Sequence, residues 1–177
     1  MKGYSSLYSN YSSGGLSYSS SPLQGNSQPY QELYSVYSKM MKKDIERGVY
    51  NPSNGGYINN PTAKTLDSIY NGTYIGGANY NANIPYVITR NGEVIIGERN
   101  GLGRGNGALP TPHPTLIGGT DPKVKMAGML TVRKGKILSY DAESGHFRPN
   151  NKSMKWADVA FEKYPKHRNF KGGQNHE

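Results

Sequence analysis

The sequence predicts an α+β fold: a small antiparallel sheet of two or more hairpins with helices packed on one side, preceded by a low-complexity tail. Three observations carry this expectation. The aliphatic runs IPYVI, EVII and GKIL lie after residue 80 and flank turn dipeptides. Two segments, PYQELYSVYSKMMKKDIERG and SMKWADVAFEKY, space apolar residues at helical intervals. Residues 1–28 are almost empty of aliphatic side chains. The 177 residues are long enough for one ordinary domain, but only 34% are hydrophobic and 23 are glycine, so the packed part is smaller than the chain.

Taken in order, residues 1–28 repeat tyrosine amid Ser, Gly and Asn, as in YSSLYSNYSSGGLSYSSS. Such a segment buries too little apolar surface to offset its conformational entropy, and it is expected to be a disordered tail, either a linker or a tether that docks on a larger assembly. Residues 29–80 form the expected helical and loop segment. Leu33, Val36, Tyr37, Met40, Met41 and Ile45 share one helix face, Lys42, Lys43 and Arg47 suit its C-terminal end, and Gly48 stops it. A shorter helix is expected over 62–70, with Asn60 as its cap and Pro61 at its first position.

Residues 81–165 are expected to form a β-rich catalytic or binding domain. In IPYVITRNGEVIIGER two apolar runs flank Asn91-Gly92, a dipeptide suited to a two-residue hairpin turn, and AGMLTVRKGKILSYD places Lys134-Gly135 at a second turn. Between the hairpins, NGLGRGNGALPTPHPTLIGGTDPK is too rich in Gly and Pro for regular structure and long enough to be functional. After them Ser153 caps a helix expected to bury Trp156 or Val159, Ala160 and Phe161. Residues 166–177, within YPKHRNFKGGQNHE, read as a flexible basic tail that binds polyanions.

The net charge of +9 divides at residue 80. Residues 1–80 hold six Lys/Arg against four Asp/Glu, and residues 81–177 hold fifteen against eight. The second part therefore carries the positive field, and a polyanion, RNA or a nucleotide, is the expected partner. The lack of cysteine excludes disulfides and thiolate metal sites, and neither histidine pair has the spacing of a zinc site. No resident cofactor or metal is expected. The sequence has no secretion-signal pattern and no apolar run of membrane-spanning length, so no membrane partner is expected. The expected location is the cytoplasm, or another cell reached by a route without a classical signal peptide.

Two histidines flank the second hairpin: His113 in PHPTLIGG before it and His146 in SGHFRP after it. An up-and-down strand pair returns its outer ends to one edge of the sheet, so both imidazoles are expected there. A histidine pair supplies a general base and a general acid near neutral pH. Arg148 joins them as the third catalytic candidate, gripping a phosphate. Arg104, Thr115, Gly118, Gly119, Ser144 and Gly145 are the substrate-binding candidates. The competing reading has His146 closing a turn and His113, between prolines, fixing loop geometry.

The ordered series HPTLIGG, KMAGMLTVRKGKI and SGHFRP resembles a toxin-like domain at the C-termini of some bacterial polymorphic toxins and the SGH[FY]RP domain of plant IQ-motif calmodulin-binding proteins. The resemblance covers about residues 84–165. It marks His113, Gly118, Gly119, Ala127, Gly128, Ser144, Gly145, His146 and Arg148 as functional. The chain lacks an IQ pattern and has Pro114 after the first histidine, where the related runs carry a hydroxyl residue, so the calmodulin-related role is not carried over. The resemblance implies a toxin-like or effector-like domain without specifying its reaction. The site of His113 with His146 and Arg148 points to an enzyme acting on a phosphate-bearing substrate, by RNA cleavage or by ADP-ribosyl transfer with NAD as substrate, and an immunity protein or a larger assembly is a further expected partner. The alternative is a non-enzymatic assembly or virion-associated protein with a basic domain that contacts nucleic acid.

Overall fold

A computed structural model describes residues 28–174. Except for Gln28, the expected tail 1–28 lies outside the described residues. The fold is α+β, built on a six-stranded sheet of order β3-β5-β4-β6-β7-β8 with a separate two-stranded hairpin, β1-β2. The strands are β1 (Tyr50–Asn51), β2 (Gly56–Tyr57), β3 (Lys64–Thr65), β4 (Ala82–Ile88), β5 (Val94–Ile96), β6 (Met126–Arg133), β7 (Lys136–Asp141) and β8 (Gly173–Gln174). Every pairing is antiparallel except that of β8 with β7. Helix α1 spans Ser38–Arg47 and α2 spans Met154–Phe161.

Alternation along the central strands divides the core. Ile84, Tyr86 and Ile88 of β4 share one face with Met126, Leu130 and Val132 of β6, and Met154, Ala157 and Phe161 of α2 cover that face. Val87 and Ala127 point the other way, where they are covered by Tyr34, Leu116, Val124 and Phe147. The second face is thus closed by loops and a 3₁₀ turn, His113–Leu116, rather than by an α-helix, and α1 packs on β1 instead. Pro85 falls just past the last β4–β5 pair, Tyr86↔Ile96, where a strand tolerates a missing N–H.

Both hairpins form, with different turns. Lys134 and Gly135 both have positive φ, 50° and 73°, as a two-residue turn of mirror-image type requires. At the first hairpin only Gly92 is left-handed (φ 82°), and Thr89 and Glu93 bracket three loop residues. That loop is a tight turn followed by a glycine bulge, not the expected two-residue turn.

The helices are shorter than the spacing predicts. The helix does not begin before Ser38, because the Tyr34 N–H and C=O both bond Val124, at 2.7 and 3.1 Å. Gly48 closes α1 in the left-handed region (φ 81°) as expected, but Ile45 is 43% exposed and Asp44 is the buried residue of the helix. Over 62–70 only Leu66–Ile69 is helical, as a 3₁₀ helix. The Asn60 side chain accepts from both the Thr62 N–H and its hydroxyl, and Lys64–Thr65 pairs with β5 instead of coiling. In α2, Val159 is 66% exposed, and the Ser153 hydroxyl meets the Tyr34 phenol (2.6 Å) instead of capping the helix. Residues 166–174 of the expected flexible tail lie along the sheet. Ile137 donates to Pro165 and accepts from His167, and β8 pairs with Tyr140 and Asp141. Among the described residues no helix is long and apolar enough to cross a membrane.

Candidate functional site

SGHFRP leaves β7 as one closed turn. The Ser144 carbonyl accepts the Arg148 N–H at 2.7 Å, and the Ser144 hydroxyl accepts the Phe147 N–H at 3.2 Å. Phe147 is fully buried against the second face of the sheet, so the turn is anchored by its aromatic ring. Arg148 takes φ 45°, unusual for a residue with a side chain and more so before a proline. Its guanidinium lies 4.3 Å from the centre of the Tyr37 ring while Nε donates to the Gly145 carbonyl (3.0 Å). Gln28 secures the strained residue from outside, its N–H donating to the Arg148 carbonyl and its side chain to the Phe147 carbonyl. Strain held this firmly is a mark of sites whose geometry matters.

His146, the middle of the turn, is buried. Its Nε2 lies 2.9 Å from Oδ2 of Asp44, a carboxylate with no exposed surface that reaches it from α1. The Tyr57 hydroxyl donates to the same oxygen at 2.7 Å. Burial, with Asp44 beside it, pushes the Tyr57 phenol well above its ordinary range, so it remains a donor. Oδ1 of Asp44 is buried without a hydrogen-bond partner. A carboxylate on Nε2 fixes the tautomer with its proton there and leaves the lone pair on Nδ1. The ring side chain keeps 9% of its surface exposed.

His113 opens a 3₁₀ turn, His113–Leu116, and its Nε2 lies 2.8 Å from the Gly128 carbonyl. Burial pushes this imidazole down to about 4, with smaller contributions in the same direction from His146 and Arg99, and the ring donates its N–H to the carbonyl as a neutral group. His113 meets β6 at Gly128, which lies against Asp141 at the end of β7, and His146 follows that strand end by five residues, so both imidazoles belong to the end of the hairpin where β6 begins and β7 ends. Gly128 is required there, because a Cβ would stand 2.0 Å from the Asp141 carbonyl oxygen.

The remaining residues of HPTLIGG build the support. Thr115 is buried, donating its hydroxyl to Pro112 and its carbonyl accepting from Asn60. Gly118 (φ 77°) has the Asn59 side chain where its Cβ would be, and Gly119 exchanges both backbone bonds with Tyr57 (2.8 and 3.2 Å). A chain of contacts therefore runs from Gly119 through Tyr57 and Asp44 to His146. Gly145 is exposed on the turn. Arg104 lies exposed among glycines, and no hydrogen bond, ion pair or ring contact among the described residues ties it to the histidines.

Asp44 and Tyr57 were not legible as site residues from the motifs. The signal for Asp44 was present: it falls three and four residues after Met41 and Met40, a charge on the apolar stripe, and buried carboxylates need a partner. Among the described residues no three His, Asp or Glu side chains are grouped to hold a metal ion. No family model, curated protein or solved structure matches the chain.

Proposed function

We propose that the chain is a toxin-like enzyme domain that cleaves RNA, with His146 as general base. The observation that carries this reading is the Asp44–His146 pair: a fully buried carboxylate, kept in place by the Tyr57 hydroxyl, holds Nε2, so that Nδ1 is the atom left to serve as the base. A 2′-hydroxyl is the group such a base serves. Its oxygen attacks phosphorus as its proton passes to Nδ1; the P–O5′ bond breaks, and the 5′ oxygen takes a proton from water. The products are a 2′,3′-cyclic phosphate and a 5′-hydroxyl, and His146 returns its proton to the hydroxide left behind.

Arg148 supports the reading because its Nε is occupied within the loop and its terminal nitrogens remain to meet phosphate oxygens. His113 does not act as the acid of a histidine pair. With its imidazole near 4 it carries a proton in fewer than about one molecule in a hundred at neutral pH, and its role is to orient the site as a neutral group.

The test is incubation of the full chain, its His146→Gln and its Asp44→Asn variants with RNA and with labelled NAD. Fragments ending in cyclic phosphate are expected from the unaltered protein, far fewer from Asp44→Asn and none from His146→Gln. Label transferred from NAD would move the reading to ADP-ribosyl transfer. RNA bound but intact, with no label moved, would overturn it in favour of a non-enzymatic protein that contacts nucleic acid within an assembly.

A further inference from the structure

The geometry points to a second site, an open basin that binds the phosphodiester backbone of a single nucleic-acid strand at the end of the β6–β7 hairpin away from His146. The basin has a volume of about 340 Å³ and is lined by Tyr74, Ala78, Lys134, Lys136, His167 and Arg168. It goes beyond the His146 reading and stands without it, since binding a strand requires no base.

The basin is built by three segments that clamp one another. The mirror-image turn sets Lys134 and Lys136 on either side of Gly135. That glycine is gripped by the preceding loop: its N–H donates to the Tyr80 carbonyl at 2.9 Å and its carbonyl accepts from Ile75 at 2.8 Å. The Lys134 N–H donates to Asn81 at 3.0 Å. A Cβ on Gly135 would stand 2.4 Å from the Gly77 carbonyl oxygen, so the loop carrying Tyr74 and Ala78 sits directly on the turn. On the other side the His167 N–H donates to Ile137 at 2.8 Å, which fixes where His167 and Arg168 emerge. Nδ1 of His167 accepts the Asn169 N–H at 3.1 Å, so the neutral ring carries its proton on Nε2 and offers a donor.

The chemistry selects an anion. Three cationic side chains line the basin with no carboxylate among them, and none of the three takes part in an ion pair among the described residues. Arginine supplies a planar fork for phosphate oxygens and the lysines supply mobile point charges. Tyr74, half-buried, adds a ring against which a base can stack. The basin is open rather than enclosed, which suits a strand running through it. The five steps of β7 from Lys136 to Asp141 put it about 16 Å from the strand end that leads into SGHFRP.

The experiment is fluorescence anisotropy of the full chain with a labelled oligodeoxynucleotide of about twelve residues, which lacks the 2′-hydroxyl and so reports binding alone. The affinity is expected to fall with salt with a logarithmic slope of about −2, the value for three phosphates on a single strand. Lys136→Glu with Arg168→Glu is expected to weaken binding at least about tenfold and flatten the slope, whereas Lys39→Glu with Lys42→Glu, an equal charge change on exposed α1 positions, is expected to change it less than about threefold. If the reversal lowers the thermal midpoint, Lys136→Gln with Arg168→Gln replaces it, with a smaller loss expected in the same direction. Competition by inorganic phosphate or a mononucleotide at concentrations similar to the strand would place the ligand as a free phosphate and overturn the strand assignment. Equal loss from the α1 pair, or binding by the lining variant within about twofold of the unaltered protein, would overturn the site. Failure of the His146 reading shows in RNA cleavage, and failure of this one shows in binding of DNA.

Discussion

Replacing Asp44 separates the pairing of His146 from the space it fills. Both donors, the Tyr57 hydroxyl and His146 Nε2, meet the same oxygen, Oδ2, while Oδ1 has no partner. In Asp44→Asn the amide oxygen can take the Oδ2 position and accept both bonds, though with neutral rather than charge-assisted strength, and the amide nitrogen falls where nothing receives it. A loss of about 1 to 2 kcal/mol is expected. Asp44→Ala leaves two buried donors unpaired, each costing about 1 to 3 kcal/mol, and opens a small void, so the expected loss is about 3 to 5 kcal/mol. Urea unfolding followed by tryptophan fluorescence from Trp156 reads both. With a slope near 2 kcal/mol per molar, the alanine variant moves the midpoint down by about 1.5 to 2.5 M and the asparagine variant by less than about 1 M. Midpoints for both variants within about 0.3 M of the unaltered protein would refute the buried pair.

Stability should also depend on pH through His113, whose imidazole is held at about 4 in the fold against 6.5 when unfolded. The unfolded chain takes the extra proton first, so stability present above pH 6.5 is lost as pH falls toward 4. The loss is about 2 to 3 kcal/mol for a ring that is not fully sealed, and urea midpoints at pH 7 and 4.5 read it; a His113→Gln variant with the same slope as the unaltered protein would remove His113 as its source. Gly128→Ala forces a Cβ to within 2.0 Å of backbone and is expected to lower stability by at least about 2 kcal/mol, read as a drop in thermal midpoint. Gly92→Ala has φ 82° but open space around it, so a cost of about 1 kcal/mol is expected; a loss equal to that of Gly128→Ala would contradict the difference in crowding. Phe147→Ala removes a fully buried ring and is expected to cost about 3 to 5 kcal/mol by urea unfolding, and a change below about 1 kcal/mol would mean that the ring does not anchor SGHFRP.

The hairpins were legible because their signals are local: period-two apolar runs on either side of Asn91-Gly92 and Lys134-Gly135. The turn at Asn91-Gly92 still came out longer than expected, since Thr89 and Glu93 close the ladder outside it. Helical spacing was less informative. Leu33, Val36 and Tyr37 fit the period of α1, but the backbone of Tyr34 is claimed by Val124, a partner ninety positions away that no window can see. The same limit hid the site. The motifs disclose His113 and His146, but not which groups answer them. Asp44 and Tyr57 arrive from separate elements, and only the charge on an apolar stripe hinted at the first.

The Asp44–His146 bond spans 102 positions, and the bonds from Gln28 to Phe147 and from Tyr34 to Ser153 each span 119. Long closures of this kind delay folding, because chain entropy is lost before the contact rewards it. At a synthesis rate of about 5 to 20 residues per second, His146 leaves the ribosome roughly 5 to 20 s after Asp44. During that interval α1, ten residues long, is too short to persist alone, and its carboxylate remains in water. The pair that orients the candidate base is therefore assembled by the last third of the chain. A nascent or truncated product ending before residue 146 has the Asp44 carboxylate without the imidazole it pairs with, so the buried pair forms only once the chain has extended past SGHFRP.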